Sequence, residues 1–155
     1  MLIPRVLIFI TRGSRVLLLK GAPTKRIWAN KYNGVGGHVE QGEDVLTAAR
    51  RELLEETGFA GESVPDLRLC GTVVVETEQN PGIGMYVFTG ECEEGEPKAS
   101  TEGTLEWIPM KEISKYPTVE DLPALLERIK EMNRGDPPFA GRSFYLNDRL
   151  VMEFG

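Results

Sequence analysis

Histidine and cysteine are scarce in this 155-residue chain: His38 stands alone, and Cys70 and Cys92 are the two cysteines. So few soft ligands argue against a structural zinc site. Two cysteines without framework spacing do not make a disulfide scaffold. Each stands in an apolar, strand-like run, so buried free thiols are expected, with neighbours on paired strands as the alternative. Also missing is any apolar run near the roughly 18 residues that a bilayer span requires. The N-terminal MLIPRVLIFI is broken by Pro4 and Arg5 and lacks a small-residue cleavage site. It reads as a strand with no signal peptide, which makes the cytoplasm the default location and gives no membrane partner. Positive charge is short too: 18 Lys and Arg against 24 Asp and Glu leave a formal charge of −6. A duplex binder needs a basic stripe, so no nucleic-acid partner is expected. A phosphorylated small molecule would be repelled as well, unless a divalent cation or a local basic cluster intervenes.

What is present is the composition of an ordinary folded protein, 41% hydrophobic and 27% charged. A single domain over residues 1–155 is expected, large enough to bury roughly two-thirds of the unfolded surface. Arg5–Arg12 and Arg15–Lys20 are apolar runs separated by Gly13-Ser14, a hairpin pattern. A loop carrying Lys25, Arg26 and Trp28 leads into YNGVGG, Tyr32 to Gly37, where the backbone can turn sharply and be closely approached. A helix of about 13 residues from Val45 has Asp44 as N-cap and Gly58 as its C-terminal stop. Leu67–Glu76 and Met85–Glu91 form an antiparallel pair turning at Asn80-Pro81-Gly82. Leu105–Ile108 adds a strand, Val119–Met132 a second helix, and Ser143–Leu146 with Arg149–Phe154 a closing hairpin around Asn147-Asp148. That order predicts an α+β fold with a mixed sheet and helices packed on it.

The first helix carries an oddity. Glu52, Glu55 and Glu56 fall at i, i+3 and i+4, where like charges cost an isolated helix roughly 0.2–0.5 kcal/mol per pair. On an exposed face such a cost is trivial. Yet at about 100° per residue these carboxylates share a sector with Val45, Ala48 and Ala49, whereas an ordinary amphipathic helix separates charge from apolar residues. A helix facing a cleft at one end and packing at the other would look this way.

From Gly37 the chain reads Gly, five residues, Glu43, seven residues, then RELLEETGF from Arg51 to Phe59. Every fixed position of the Nudix box G-x5-E-x7-R-E-U-x-E-E-x-G-U is filled, a match expected by chance in about one window in 10⁹. The sequence therefore resembles the Nudix hydrolase family. The resemblance implies an α/β/α sandwich with a mixed central sheet and an added C-terminal hairpin. It also implies Mg²⁺, with Mn²⁺ as a substitute, held by Glu52, Glu55, Glu56 and the Gly36 carbonyl; hard cations prefer such oxygen donors. Arg51 would orient Glu55, and Glu43 would brace the loop rather than bind metal. The implied reaction is attack of water on a phosphorus of a nucleoside diphosphate linked to a group X. Its general base is either Glu55 or Glu56, or else Glu102, which stands five residues before Trp107 at a spacing shared with some MutT-like members.

YNGVGGHVEQGE is similar to WNGFGGKVQEGE in the family's mammalian MutT homologues, which cleave oxidised purine nucleoside triphosphates. That likeness makes Asn33 a base contact; the alternative is a turn residue before Gly34. IPMKEISKYP resembles IPFKDMWP, whose tryptophan stacks on the base, which places Tyr116 in a stacking role. Glu120 and Asp121 follow at a spacing unlike that of the homologues' acidic residues. Trp28 is a pocket wall or a packed aromatic, and Lys25 or Arg26 a phosphate contact or an exposed loop cation. The resemblance thus points to hydrolysis of a nucleoside triphosphate such as 8-oxo-dGTP to monophosphate and pyrophosphate, in the service of nucleotide-pool cleansing. Another nucleoside diphosphate derivative, or a nucleotide-binding Nudix domain without turnover, are the alternatives. The ADP-ribose, diadenosine polyphosphate and coenzyme A subclass signatures are absent. Oligomeric state has no signature in the sequence.

Overall fold

The computed structural model describes residues 1–25, 28–78, 81–99 and 101–155. Arg26, and Asn80 of the turn at Asn80-Pro81-Gly82, lie outside the described residues. Among the described residues there are nine strands: β1 (Leu2–Arg12), β2 (Arg15–Gly21), β3 (Tyr32–Asn33), β4 (Val35–His38), β5 (Arg68–Val75), β6 (Gly82–Glu91), β7 (Gly103–Pro109), β8 (Phe139–Leu146) and β9 (Arg149–Phe154). Two α-helices, α1 (Val45–Thr57) and α2 (Leu122–Lys130), and two short 3-10 turns complete the chain. The strands run in the order β3-β2-β1-β6-β5-β8-β9, with β4 also on β1 and β7 on β2. The sheet is mixed, because β1·β6 and β5·β8 are parallel while the other pairs are antiparallel.

Alternation along β1 builds two cores at once, since successive side chains point to opposite faces. Leu7 and Phe9 join a cluster with Leu122, Leu125 and Leu126 of α2. Val6, Ile8 and Ile10 join one with Ala48, Ala49 and Leu53 of α1. This is the expected helix–sheet–helix sandwich. Alanines at 48 and 49, both fully buried, let α1 lie close to the sheet, and cutting Leu53 to alanine would cost roughly 2–5 kcal/mol. No helix among the described residues is long and apolar enough to cross a membrane.

Two local expectations need correction. YNGVGG, expected as a sharply turning segment, supplies two short strands, because β2 leaves β1 after pairing Thr11 and Arg12, and β4 takes over its edge from Arg5 to Ile8. The second helix begins at Leu122, not Val119, and ends at Lys130. Residues before it are drawn into strand-like pairing: Thr118 bridges Tyr32, and the Val119 N–H donates to the Tyr32 carbonyl at 3.0 Å. Pro123 then sits in the first turn of α2, where a missing N–H costs nothing.

Candidate active site

Helix α1 begins and ends on its own sequence signals. The Asp44 carboxylate accepts from the Thr47 N–H at 2.8 Å, and Gly58 takes a left-handed φ of 82° to stop the helix. Pairing of β4 with the middle of β1 sets Gly36 opposite Leu7 and Gly37 opposite Val6. A side chain on Gly36 would strike the Val6 carbonyl, and one on Gly37 would strike the Glu52 carboxylate. The glycines let α1 carry its acidic end down onto the strand backbone.

Arg51 is the hub of this end. Its Nη2 and Nε donate to the two oxygens of Glu43 at 2.6 and 3.1 Å, a bidentate pair. Nη1 reaches Glu52 Oε1 at 2.9 Å and Glu55 Oε2 at 3.3 Å, while Nη2 also donates to the His38 carbonyl at 3.0 Å. Glu43 in turn accepts from the Glu40 N–H at 2.8 Å, so it ties loop to helix through Arg51. That hydrogen bonding holds the Glu43 carboxyl below its usual range and the Arg51 guanidinium above its own. Burial pushes the Glu52 carboxyl up, and the Arg51 contact opposes the rise. A partly buried acid beside Glu55 and Glu56 is a group whose charged form gains from an added cation.

Glu52, Glu55, Glu56 and Gly36 line one cleft of about 440 Å³, together with Gly37, Asn33, Lys25, Trp28 and Glu102. Lys25 Nζ lies 3.0 Å from Glu102 Oε2 on the loop before β7. Among the described residues no three acidic side chains converge into an ion cage; Glu52 and Glu55 both lean on Arg51 instead. The donor set still fits a hard cation, since Mg²⁺ is commonly held by one or two carboxylates plus substrate phosphates rather than by an all-protein cage. Residues that sequence reasoning missed here are Arg5 and Lys31. Arg5 sits in an apolar run and Lys31 beside the glycine-rich segment, and neither bears a local signal.

A larger cleft, about 630 Å³, adjoins the first. Leu7, Trp28, Lys31, Asn33, Ile83 and Met85 line both. Its remaining wall joins apolar Val75, Pro81, Val119 and Leu150 to polar groups on Glu76, Thr77, Glu78, Glu120, Asp121, Ser143 and Tyr145. Burial pushes the Asp121 carboxyl up, with the Glu120 charge adding to the rise. The Tyr145 hydroxyl donates to Glu120 at 3.2 Å. Ser143 Oγ is buried with no hydrogen-bond partner among the described residues. Asn33 Oδ1 accepts from the Gly34 N–H at 2.8 Å, which leaves its amide N–H₂ to donate elsewhere. Trp28 is half exposed with a left-handed φ of 63°. Tyr116 is not brought to either cleft. It packs against the α2-side core, edge-on to Tyr32 with ring centroids 5.3 Å apart. Cys70 and Cys92 are buried free thiols.

Residues 1–129 match the NUDIX domain family. The chain is 36% identical over 111 residues to the oxidized purine nucleoside triphosphate hydrolase of Danio rerio, covering 69% of this chain and 66% of that protein. It therefore spans just under two thirds of that relative's length. It is 30% identical over 132 residues to the prenyl-diphosphate phosphatase of Methanosarcina mazei, covering 79% of this chain and 74% of the relative. In fold it resembles the MutT protein of Bacillus halodurans, with a TM-score of 0.73 over 99% of this chain and 97% of that one at 24% identity. Since the match runs through both faces of the sheet and across the whole of α1 with its acidic end, the chain belongs to the NUDIX family.

Proposed function

We propose that the protein is a Mg²⁺-dependent hydrolase that cleaves a nucleoside triphosphate, 8-oxo-dGTP or a related oxidised purine, to nucleoside monophosphate and pyrophosphate. The observation that carries this reading is the continuity of the two clefts through Leu7, Trp28, Lys31, Asn33, Ile83 and Met85. One molecule with a charged end and a flat, partly polar end would fill both. The relative in Danio rerio, named for oxidised purine triphosphates, supports the same assignment.

In the smaller cleft Glu52, Glu55, Glu56 and the Gly36 carbonyl would hold Mg²⁺, or Mn²⁺ in its place. The ion supplies charge neutralisation on the phosphates and acidifies water. Arg51, clamped by Glu43, orients Glu52 and Glu55. Arg5, Lys25 and Lys31 offer cations to phosphate oxygens, a local answer to the overall charge of −6. A water proton goes to a carboxylate of this cleft: Glu55 or Glu56 from the helix, or Glu102 from the facing loop. In the larger cleft the Asn33 amide, Asp121 and Ser143 offer hydrogen bonds to a base edge, and Trp28 offers a ring to stack on. Tyr116 would act from behind, by fixing Tyr32 next to Asn33.

A second reading is a prenyl diphosphate substrate, favoured by the apolar wall of Leu7, Val75, Ile83, Met85 and Leu150 and by the relative in Methanosarcina mazei. A hydrocarbon chain would leave Asp121 and Ser143 without partners, which costs free energy in a desolvated cleft. A screen for phosphate and pyrophosphate release separates the readings. It would compare canonical and oxidised purine triphosphates, dinucleoside polyphosphates, ADP-ribose and prenyl diphosphates, with Mg²⁺ and with Mn²⁺. Highest kcat/KM on an oxidised purine triphosphate is expected. Preference for a prenyl diphosphate would overturn the base assignment, and no release from any compound would make the protein a binding module.

A further inference from the structure

The two ends of the sheet are finished differently. At one end the outer strand is β7, paired along β2 from Arg15 to Gly21 and ended by Pro109. At the other, β9 runs six residues, Arg149-Leu-Val-Met-Glu-Phe154, with no proline, lysine or glycine. Its register with β8 is unbroken from Leu146↔Arg149 to Gly141↔Phe154. Among the described residues β9 pairs with no strand but β8. Very short strands, prolines, bulges and charged side chains, lysine above all, are the usual protections of an exposed edge; β9 has the charges of Arg149 and Glu153 but no lysine, proline or bulge.

The hydrogen-bond alternation of β9 follows from its neighbours. The Gly155 N–H donates to the Ala140 carbonyl at 2.8 Å, and the Ser143 carbonyl accepts from Glu76 on the far side of β8 at 2.8 Å. Antiparallel pairs alternate between bonded and non-bonded. Arg149, Val151 and Glu153 therefore turn their backbone groups toward β8, while Leu150, Met152 and Phe154 turn theirs outward.

We infer that β9 is the contact of a twofold dimer, pairing antiparallel with β9 of a second copy about Val151. In that register Leu150 of each copy lies opposite Met152 of the other, so the outward N–H and C=O groups meet as bonded pairs. Val151 faces the partner's Val151, and Arg149 faces Glu153 twice across the axis, with side chains about 4.5–5.5 Å apart at Cβ. The one-residue shift that the backbone also allows, about Met152, would put Glu153 opposite Val151 and Arg149 opposite Gly155, with no ion pair. Charge complementarity selects the register about Val151.

The side chains of Arg149, Val151 and Glu153 lie on a stretch of sheet that neither core cluster includes. Val74, 41% exposed, and Leu146, 58% exposed, share that face with Phe144 and Arg142. A second copy would extend this half-apolar surface across the axis. Within one copy Glu153 meets Arg142 at 3.7 Å, and Arg142 also meets Glu76 at 2.9 Å, so Arg142 keeps a partner when Glu153 is changed.

Sedimentation of the full chain from micromolar to millimolar concentration tests the interface. The wild type is expected to reach twice its 17.3 kDa mass. Arg149→Glu alone and Glu153→Arg alone each make both cross-axis pairs repulsive and should weaken the dimer about tenfold or more. Mixed in equal amounts, the two variants present Glu against Arg at both places and should recover the dimer. Circular dichroism melting checks that each variant is folded. In the wild type, amide exchange at Leu150 and Met152 should slow with protein concentration. A wild type at 17.3 kDa throughout, a dimer indifferent to both substitutions, or a mixture that stays monomeric would each overturn the proposal.

Discussion

The two clefts are built by opposite strategies. The smaller, acidic one draws Glu52, Glu55 and Glu56 from a single helix and its floor from the four-residue strand just before it, with Glu40 and Glu102 brought in from loops. The larger is assembled from β1, β5, β6, β8, β9 and the stretch from Val119 to Asp121, with at most a few residues from each. Chemistry on phosphates needs a fixed constellation, and a rigid helix supplies it in one piece. Recognition of a base needs a wall of adjustable shape, which strand ends and loops supply separately. Changes in the first cleft should stop turnover without altering preference, and changes in the second should alter preference.

The largest effect is expected at Glu56. Glu56→Gln keeps the shape of the side chain and removes its charge, so turnover of an oxidised purine triphosphate should fall about 10³-fold or more, which is about 4 kcal/mol of transition-state stabilisation. Melting temperature should stay near wild type. The two glycines of β4 then separate fold from chemistry. Gly36→Ala drives a Cβ into the Val6 backbone and should unfold or badly destabilise the sheet, whereas Gly37→Ala displaces only the Glu52 carboxylate. The Gly37 variant should stay folded by circular dichroism yet lose about 10²-fold in kcat. Glu102→Gln comes next: as general base its loss should cost about 10²-fold in kcat, and a loss confined to KM would assign the proton to Glu55 or Glu56.

The smallest effect concerns stability at Asp121. Burial raises its folded carboxyl above the unfolded value, so the unfolded chain gives up its proton first as pH climbs. Wild type is most stable relative to Asp121→Asn below the ordinary carboxylate range, and loses that standing as pH rises through the raised folded value. Melting curves taken from acid to neutral pH should show the variant gaining on wild type and then levelling. A gap that ignores pH would mean that Asp121 titrates as it does in water.

Legibility followed the same division. Helix α1 could be bounded to the residue because its cap, its stop and its packing stripe are all local. The bracing role of Glu43 and the Arg51–Glu55 contact lie within one helix and one loop and were legible for the same reason, whereas the tighter pairing of Arg51 with Glu43 was not read. Long-range pairing was not. Nothing near Thr118 announces that it will bridge Tyr32 and shorten α2 at its start. Tyr116 was read as a stacking residue by likeness of a short segment, but two extra residues before it carry the ring to the core, and Glu120 and Asp121 stand in the cleft instead. Arg5 and Lys31 reach the acidic cleft only because β4 docks on β1. Ser143 matters only because β8 lies beside β5, which no local pattern specifies.

The central claim is that one substrate spans both clefts, phosphates in the smaller and base in the larger. The ratio of kcat/KM for an oxidised over a canonical purine triphosphate, measured in wild type, Gly37→Ala and Asp121→Asn, tests it most directly. Gly37→Ala should lower both rates alike and leave the ratio unchanged. Asp121→Asn should bring the ratio about tenfold closer to one, the weight of roughly one hydrogen bond to the base, with pyrophosphate release from the canonical substrate little changed. An unchanged ratio in Asp121→Asn, or a ratio that moves as far in Gly37→Ala, would contradict the account.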